Sequence, residues 1–259
     1  MTRVAVCGAA GRMGRLVAEA VAAAPDLELV AGYDPHGAGE QVAGITVSAD
    51  PEVGVAAEVM VEFTNPSVVL GNLVRWRRLG LHAVVGTSGF DDARLAVLRR
   101  KWGSGPPNCL VVPNFSIGAV LMMRFAAAAA PHFAAAEIVE LHHDRKADAP
   151  SGTALATAAG MAAAGGGQSR AVRSREVAPG ARGAEIEGVR VHAVRLPGLL
   201  AHQEVILGSP GETLTIRHDT TDRAAFLPGV LLGIRRVAGL PDPVTVGLEG
   251  LLGLSPSAQ

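Results

Sequence analysis

The stretch RVAVCGAAGRMGR, residues 3–15, decides how the first half of the chain folds. Its apolar run RVAVCG is typical of a buried strand, and apolar residues at helical spacing follow until Pro25 ends the pattern. Between the two lie Gly8, Gly11 and Gly14, spaced G-x-x-G-x-x-G. The stretch therefore predicts a strand, a tight glycine turn and a helix.

Short apolar runs alternate with amphipathic segments over residues 1–113. LELVAGY, EVMVEF, LHAVVG and CLVVP predict further strands, and helical patterns such as VVLGNLVRWRRLG and DDARLAVLRRKW separate the later ones. This alternation favours right-handed crossovers and a doubly wound parallel sheet. We therefore predict an α/β protein whose first domain, residues 1–113, has a Rossmann-type sheet.

The rhythm of the sequence changes after Pro113. NFSIGAVLMMRFAAAAAPHF predicts a helix, AEIVELHH a strand and SGTALATAAGMAAAGGG a helix. VRVHAVRL, AHQEVILG and ETLTIRHD then predict three consecutive strands joined by Gly- and Pro-rich turns. This order predicts a second, α+β domain built on a mixed sheet over residues 114–222, and a C-terminal segment, residues 223–259, that returns to the first domain.

Composition limits the classes of function. The chain has 259 residues, 49% hydrophobic and 18% charged, which is typical of a globular protein. Its formal net charge of −1 gives no basic face and argues against nucleic acid as a partner. Cys7 and Cys109, the only cysteines, lie in apolar runs, and no segment predicts a signal peptide or a membrane span. We expect a cytoplasmic protein with neither a membrane partner nor a metal site.

The glycine turn has the pattern of a dinucleotide site. Glycine lets the backbone approach a pyrophosphate, while the N-terminus of the following helix offers N–H donors. Asp34 ends the second strand, 20 residues beyond Gly14, where a carboxylate can accept hydrogen bonds from a ribose diol. The alternative is a tight strand–turn–helix without a ligand, and the placement of Asp34 favours dinucleotide binding over it.

The stretch ELHHDRKADAPSGTA, residues 140–154, contains Lys146, one of only two lysines in the chain. Lysine can supply a proton, whereas arginine, with a pKa above about 12, cannot. His142 and His143 end a predicted strand, and a helix opens near Ser151, whose first N–H groups suit a carboxylate. The alternative is a polar surface loop followed by a capped helix.

Other chemistries fit the histidines and serines of the chain less well. Adjacent histidines on extended backbone point to opposite faces, and no Cys or well-spaced third ligand accompanies them to hold a metal. Ser151 lacks the G-x-S-x-G context of a nucleophile. His192, His202 and His218 lie in strand patterns, and we interpret them as structural or interface residues.

Together these motifs resemble one family, 4-hydroxy-tetrahydrodipicolinate reductase, formerly called dihydrodipicolinate reductase. The resemblance runs almost end to end and is carried by VAVCGAAGRMGR, FTNPSVVLGNL, GTSGF, PNFSIGAVLM, ELHHDRKADAPSGTA and HAVRLPGLLAHQEVILG. It implies reduction of 4-hydroxy-tetrahydrodipicolinate, a small dicarboxylate, to tetrahydrodipicolinate by NADH or NADPH, in the diaminopimelate route to lysine. It also implies a homotetramer joined through the sheets of the second domain.

The resemblance assigns roles to individual residues. It implies that His142 and Lys146 form the acid pair. The substrate-binding residues that it implies are His143, Lys146, Gly152 and Thr153, and we predict from its place at the helix start that Ser151 also binds substrate. The cofactor-binding residues that it implies are Gly8, Gly11, Arg12, Met13, Gly14, Asp34, Phe63, Thr64, Gly86, Thr87, Ser88, Asn114, Phe115, Arg223 and Phe226.

The sequence departs from the family pattern at four positions. Ser88 stands where Thr is more frequent, Glu62 replaces the usual Asp, and Arg145 takes a position that is often His. Pro35 follows Asp34 at a position where members that favour NADPH can carry Arg. The last departure bears on the cofactor, and we expect a modest preference for NADH.

Two other functions stay open at the level of sequence. The first is a dinucleotide-binding regulator that has kept the fold without turnover. The acid pair argues against it, since a sensor needs the glycine turn but no proton donor. The second is a reductase for a related cyclic imine. It would differ from a 4-hydroxy-tetrahydrodipicolinate reductase in the shape of its pocket, which the sequence does not show.

Overall fold

A computed structural model of the chain describes residues 1–168 and 175–254. Residues 169–174 of the predicted second domain and 255–259 of the predicted C-terminal segment lie outside the described residues. The strands, in chain order, are β1 Thr2–Cys7, β2 Leu27–Tyr33, β3 Gln41–Val42, β4 Ile45–Thr46, β5 Val59–Glu62, β6 His82–Val85, β7 Cys109–Val111, β8 Ala135–His142, β9 Ala184–Ile186, β10 Val189–Arg195, β11 Ala201–Ser209, β12 Glu212–Thr220 and β13 Val244–Val246. The α-helices are α1 Arg12–Ala23, α2 Val69–Arg78, α3 Asp92–Trp102, α4 Ile117–Ala129, α5 Gly152–Ala163 and α6 Leu227–Arg236. The 3-10 helices are Pro51–Ala56, Ala130–His132, Arg223–Phe226, Val237–Gly239 and Gly250–Leu252.

The described residues form two compact units. Unit 1 comprises residues 1–116 and 226–254, and unit 2 comprises residues 117–225. These limits differ by a few residues from the domain limits that we predict from sequence. No helix among the described residues combines the length and the apolar character needed to cross a membrane.

Unit 1 is built on a six-stranded sheet in the order β13-β7-β6-β5-β1-β2, in which every neighbouring pair is parallel. Leu73 of α2 and Trp102 of α3 pack in the core on one face of this sheet. On the other face, the backbone of Gly233 in α6 lies close to Val84 and Leu110 of the sheet. A parallel sheet buried on both faces in this way confirms the predicted doubly wound fold. The short strand β13 is not predicted from the sequence.

Close packing of backbone shapes the glycine turn between β1 and α1. Gly8 has a φ of +80°, and a Cβ atom added to it would lie 2.2 Å from the carbonyl oxygen of Phe63. A Cβ atom on Gly14 would lie 2.0 Å from the carbonyl oxygen of Gly8. Gly11 is the N-cap of α1 and has no side chain to cover the helix terminus. A side chain therefore does not fit at Gly8 or Gly14, the first and last glycines of the G-x-x-G-x-x-G pattern.

Unit 2 is built on a five-stranded sheet in the order β12-β11-β8-β10-β9. Strands β8 and β10 are parallel, and the other neighbours are antiparallel, which confirms the predicted mixed sheet. Helices α4 and α5 cover one face, where Ala126 and Met161 pack against Ile138 and Leu207. The predicted helix over residues 114–133 is shorter than expected, since α4 begins at Ile117.

Strand β8 carries a charged residue at a core position. Its residues alternate in burial, with Ala136, Ile138 and Glu140 fully buried and the residues between them only partly buried. This alternation places the three on the face covered by helices. Glu140 therefore occupies a position where Ala136 and Ile138 predict another apolar side chain.

Substitution of Gly14 by alanine tests the packing of the glycine turn. We expect Gly14→Ala to lower the free energy of unfolding by about 1–3 kcal/mol, because its Cβ atom would overlap rigid backbone. Gly71→Ala, on an exposed part of α2 where a Cβ atom meets nothing within 4 Å, is the matched control. It should raise stability by up to about 1 kcal/mol. Chemical unfolding of both variants measures the difference, and equal stability would contradict the packing argument.

Candidate active site

A cavity of about 230 Å³ opens in unit 1. It lies where the strand order of the sheet reverses, because β2 lies on one side of β1 while β5 and the later strands lie on the other side. Five predicted cofactor residues line it, namely Gly8, Gly11, Asp34, Phe63 and Thr64. The sequence did not assign the other lining residues to a site; they are Tyr33, Pro35, His36, Asn65, Val68 and Asn72.

The cavity fits a dinucleotide at two points. The turn at Gly8 and Gly11 brings backbone to the cavity wall, and the N-terminus of α1 supplies the N–H donors that a pyrophosphate needs. The carboxylate of Asp34 is fixed by the N–H of Ala10 at 3.3 Å and the N–H of His36 at 3.0 Å. Its remaining acceptor capacity suits a ribose diol.

A buried carboxylate anchors the chain beside this cavity. Glu62 is completely buried at the end of β5, and it accepts hydrogen bonds from the Thr64 hydroxyl, Asn72 Nδ2 at 3.1 Å and Trp76 Nε1 at 2.8 Å. The N–H of Thr64 donates to Thr87 Oγ1 at 2.9 Å. These bonds fix Thr64 through both its backbone and its side chain.

Further predicted cofactor residues pack around Phe63. Its ring leaves no room for a side chain at Gly86, where a Cβ atom would lie 2.1 Å from Phe63 Cε1. The ring of Phe115 lies 5.6 Å from that of Phe63, centroid to centroid. Asn114 Oδ1 accepts the N–H of Ser116 at 2.9 Å.

The remaining predicted cofactor residues are not among those that line the cavity. Arg12 and Ser88 are exposed, and Met13 is partly buried. Arg223 belongs to unit 2, and Phe226, at the other end of the same 3-10 helix, belongs to unit 1. A cofactor role stays a prediction for these five residues, as it does for the other ten.

The second group of predicted site residues lies at the end of β8. His142 is the last residue of the strand, and a turn follows in which the N–H of Lys146 donates to the carbonyl of His143 at 3.1 Å. The ammonium of Lys146 lies 2.7 and 2.9 Å from the two carboxylate oxygens of Asp148. An ammonium has three N–H donors, so one is left for a ligand.

Glu140 connects this group through its two oxygens. Oε1 accepts the N–H of Ser151 at 3.0 Å and Arg195 Nη2 at 2.8 Å. Oε2 accepts Arg195 Nη1 at 2.8 Å and lies 2.5 Å from Nδ1 of His142. Arg195 Nη2 also donates to the carbonyl of Asp148 at 2.6 Å. Glu140 thus forms a bidentate ion pair with Arg195 and takes part in two further hydrogen bonds, with Ser151 and His142.

Opposing effects set the ionisation of this pair. Burial raises the pKa of Glu140, but the hydrogen bonds and charges of Arg195 and His142 outweigh it and hold that pKa below its usual value. Burial lowers the pKa of His142, and the positive charges of Lys146 and Arg195 lower it further, against the opposing effect of Glu140. Near neutral pH the unliganded protein therefore holds an ionised Glu140 and a mostly neutral His142.

The start of α5 places helix N–H groups next to Glu140. Ser151 Oγ caps the helix by accepting the N–H of Ala154 at 3.2 Å. The space beside Gly152 is open, since a Cβ atom added there would meet nothing within 4 Å. The first turn of a helix offers N–H groups without intrahelical partners. Nδ1 of His143 is buried with no hydrogen-bond partner in the part of the chain that the structure describes, as expected of a group that meets a ligand or water.

Sequence reasoning missed three residues of this group, Glu140, Arg195 and Asp148. Glu140 and Arg195 lie on strands that the sequence predicts, but their pairing depends on the parallel register of β8 and β10. Glu140 also precedes His142 by two residues, a spacing that places both on one face of a strand. The feature of the sequence that could have identified Glu140 is a charged residue at a core position of a predicted strand.

Two family models match the chain. The model described as "Dihydrodipicolinate reductase, N-terminus" matches residues 2–115, and the model described as "Dihydrodipicolinate reductase, C-terminus" matches residues 118–252. Together they cover almost the whole chain, with a boundary close to that between units 1 and 2.

Relatives and a solved structure agree with the family models. The chain is 56% identical to a 4-hydroxy-tetrahydrodipicolinate reductase of Thermobifida fusca (strain YX), over 98% of this chain and 100% of the relative. It is 52% identical to the enzyme of the same name from Nocardia farcinica (strain IFM 10152), over 97% and 99%. A dipicolinate-bound dihydrodipicolinate reductase from Paenisporosarcina sp. TG-14 superposes with a TM-score of 0.84 at 35% identity, over 96% of this chain and 99% of that one. The chain belongs to the dihydrodipicolinate reductase family.

Proposed function

We propose that this protein reduces 4-hydroxy-tetrahydrodipicolinate to tetrahydrodipicolinate with a nicotinamide cofactor, in the diaminopimelate route to lysine. The names of its relatives, at 56% and 52% identity over nearly the full chain, support this substrate. The observation that carries the proposal is the group at the end of β8, where a carboxylate-bound histidine and a lysine adjoin the start of a helix. A steady-state assay that follows NAD(P)H oxidation with enzymatically generated substrate tests it, and no oxidation would refute it.

The chemistry of the reaction sets what the protein must supply. When bound, the cofactor supplies a hydride. The reduction also consumes one proton, and the 4-hydroxyl group leaves as water. The residues of this chain therefore have to bind two carboxylates and to deliver a proton at the reacting ring.

Cationic and N–H groups of unit 2 bind the dicarboxylate. Gly152 and Thr153 open α5, and their position at the positive end of the helix suits a carboxylate. The ammonium of Lys146 keeps one N–H beyond its two bonds to Asp148. Nδ1 of His143, buried and without a hydrogen-bond partner among the described residues, offers a further polar contact. Lys146 and the start of α5 provide local positive charge on a protein whose formal net charge is −1.

The proton comes from His142 and Lys146. The pKa of His142 is below its usual value without ligand, chiefly because of burial. A bound dicarboxylate brings negative charge close to the imidazole and raises that pKa, so that substrate binding favours the protonated form. The imidazole therefore carries its proton when the substrate is present. It can give that proton to the ring carbon that becomes electron-rich when the substrate ring accepts a hydride.

The two alternative functions are separated by the same assay. A dinucleotide-binding regulator would bind NADH without oxidising it, although it would have no use for the donor pair. A reductase of a related cyclic imine would oxidise NADH slowly with 4-hydroxy-tetrahydrodipicolinate and faster with its own substrate. The family names favour the first substrate.

We also propose a homotetramer joined through the mixed sheet of unit 2. Strand alternation places Val139, Leu141, Val194 and Ile206 on the face opposite to the one that α4 and α5 cover, and all four are only partly buried. Apolar side chains at such positions suit a subunit interface. Sedimentation velocity should give the mass of four chains, and Ile206→Glu should lower it; a monomeric wild-type protein would contradict the proposal.

Removal of Lys146 tests the proton-donor pair. We expect Lys146→Ala to lower kcat by about 10²–10⁴-fold, the usual range for a positioned acid, with NADH affinity nearly unchanged. Lys101→Ala is the matched control, since Lys101 is the only other lysine and is exposed on α3. Steady-state kinetics and NADH binding measure both effects, and a Lys146→Ala protein with more than half of wild-type activity would refute the assignment.

The position of Asp34 leads to a modest preference for NADH. Its charge would meet that of a 2′-phosphate, and two unit charges about 4 Å apart at an effective dielectric near 20 repel by roughly 4 kcal/mol before relaxation and salt. The exposed Arg12 can offset much of this. We expect kcat/KM to favour NADH by about tenfold or less, at one pH and ionic strength.

A matched pair of variants separates Asp34 from surface charge in general. Asp34→Asn should lower the ratio of kcat/KM for NADH to that for NADPH, because it removes the negative charge that repels a 2′-phosphate and keeps the shape of the side chain. Asp50→Asn should leave it unchanged, since Asp50 only caps a 3-10 helix through the N–H of Glu52 at 2.9 Å. A clear preference of the wild-type protein for NADPH would show that Arg12 outweighs Asp34.

A further inference from the structure

We infer that Glu140 is the positioning residue of the site, a buried carboxylate that holds both the proton donor His142 and the anion-binding start of α5. The inference rests on the proposed function, because it assigns to Glu140 the placement of groups that the proposed reaction uses. It adds a residue that does not itself contact the reacting atoms.

Three segments of chain meet at the Glu140 carboxylate. Oε2 holds the imidazole of His142, and Oε1 holds the N–H of Ser151, the residue that caps α5. Arg195, bound to both oxygens, extends the contact to the carbonyl of Asp148. Asp148 in turn binds the ammonium of Lys146. A displacement of Glu140 would therefore move the donor pair and the anion site together.

The contact with Glu140 also selects the ring nitrogen that His142 presents. Because an ionised carboxylate only accepts hydrogen bonds, the 2.5 Å contact requires a proton on Nδ1. The neutral imidazole then has its lone pair on Nε2, and a second proton can bind only there. Glu140 thus makes Nε2 the atom through which His142 gains and gives its proton.

Arg195 balances the charge of this arrangement. The charged groups that act on the pKa of His142 are Glu140 on its own strand, Arg195 on β10 and Lys146 in the following loop. Asp148 pairs with Lys146 in that loop. Two other elements place neutral groups next to Glu140. The N-cap of α5, Ser151, donates its N–H to Glu140, and β11 places Gln203 opposite it in the sheet. The Arg195 guanidinium lowers the pKa of Glu140 and so keeps it ionised. It also lowers the pKa of His142, which offsets part of the increase that Glu140 causes.

Folding alone gives little reason for a charge at this position. The preceding inward residues of β8 are Ala136 and Ile138, and an apolar side chain would continue that core. A buried ion pair is often no more stabilising than well-packed apolar residues of similar volume. The position of Glu140, between the acid and the anion site, gives the charge a functional reason.

Replacement of the carboxylate by an amide tests the inference. Glu140 raises the pKa of His142, so Glu140→Gln lowers it, and the fraction of protonated donor falls most at high pH. We expect kcat/KM to fall by about tenfold or more near pH 7.5, with a clearly smaller loss near pH 5.5. Dipicolinate, the dicarboxylate bound in the Paenisporosarcina structure, should also bind more weakly, by calorimetry. The single amide oxygen cannot accept all the hydrogen bonds from Arg195, His142 and Ser151 that the two carboxylate oxygens accept. Asp26→Asn is the control, since Asp26 forms a bidentate pair with Arg235 on the surface of unit 1 and should change neither quantity.

A double-mutant cycle separates positioning from general damage. In a His142→Asn background, Glu140→Gln should cost much less in kcat than in the wild-type background, because the donor that it positions is already absent. An equal loss in both backgrounds, or an equal loss at both pH values, would overturn the inference while leaving the proposed function intact. A His142→Asn protein with wild-type kcat would refute the proposed donor and the inference with it.

A second variant covers the case in which the amide prevents folding. Glu140→Asp keeps the charge that pairs with Arg195 but is shorter by one methylene group, so that it cannot reach all its partners. We expect a folded protein, by circular dichroism and NADH binding, with kcat/KM lowered by about tenfold or more near pH 7.5. Wild-type kcat/KM in this variant would overturn the inference.

Discussion

The site in unit 2 depends on one constraint, the need to satisfy the buried carboxylate of Glu140. A buried charge is costly unless it is paired and hydrogen-bonded. Arg195 supplies the charge through two hydrogen bonds of 2.8 Å, and the remaining acceptor capacity goes to His142 and Ser151. The same bonds that make Glu140 tolerable in the core therefore determine where the histidine and the start of α5 lie.

Unit 1 solves a similar problem with neutral donors. Glu62 is buried like Glu140, but it is held by the hydroxyl of Thr64, the amide of Asn72 and the indole of Trp76. These bonds fix the segment after β5 opposite the glycine turn, where Gly8 approaches the carbonyl of Phe63. Glu62, which stands where the family pattern usually has Asp, therefore holds residues that line the cavity without lining it itself.

Much of the architecture could be predicted from local pattern. The alternation of strands and helices predicts the parallel sheet, and Gly8 and Gly14 are needed because backbone packs where a Cβ atom would stand. The rarity of lysine points to Lys146. The partners of Glu140 could not be predicted in the same way, because Arg195 is 55 residues away and meets it only through the register of β8 and β10. The strand β13 is short, and its pairing with β7 is likewise a property of the folded sheet.

We infer that the charge of His142 depends on whether the substrate is bound. Burial keeps the ring mostly neutral without ligand, Glu140 fixes the proton on Nδ1, and a bound dicarboxylate favours a second proton on Nε2. The most direct test is ¹⁵N NMR of the His142 ring near pH 7.5, assigned with His142→Asn, without and with dipicolinate. We expect the Nδ1–H tautomer in the free protein and a doubly protonated ring in the complex. An Nε2–H tautomer in the free protein, or a ring that stays neutral when dipicolinate binds, would refute this inference.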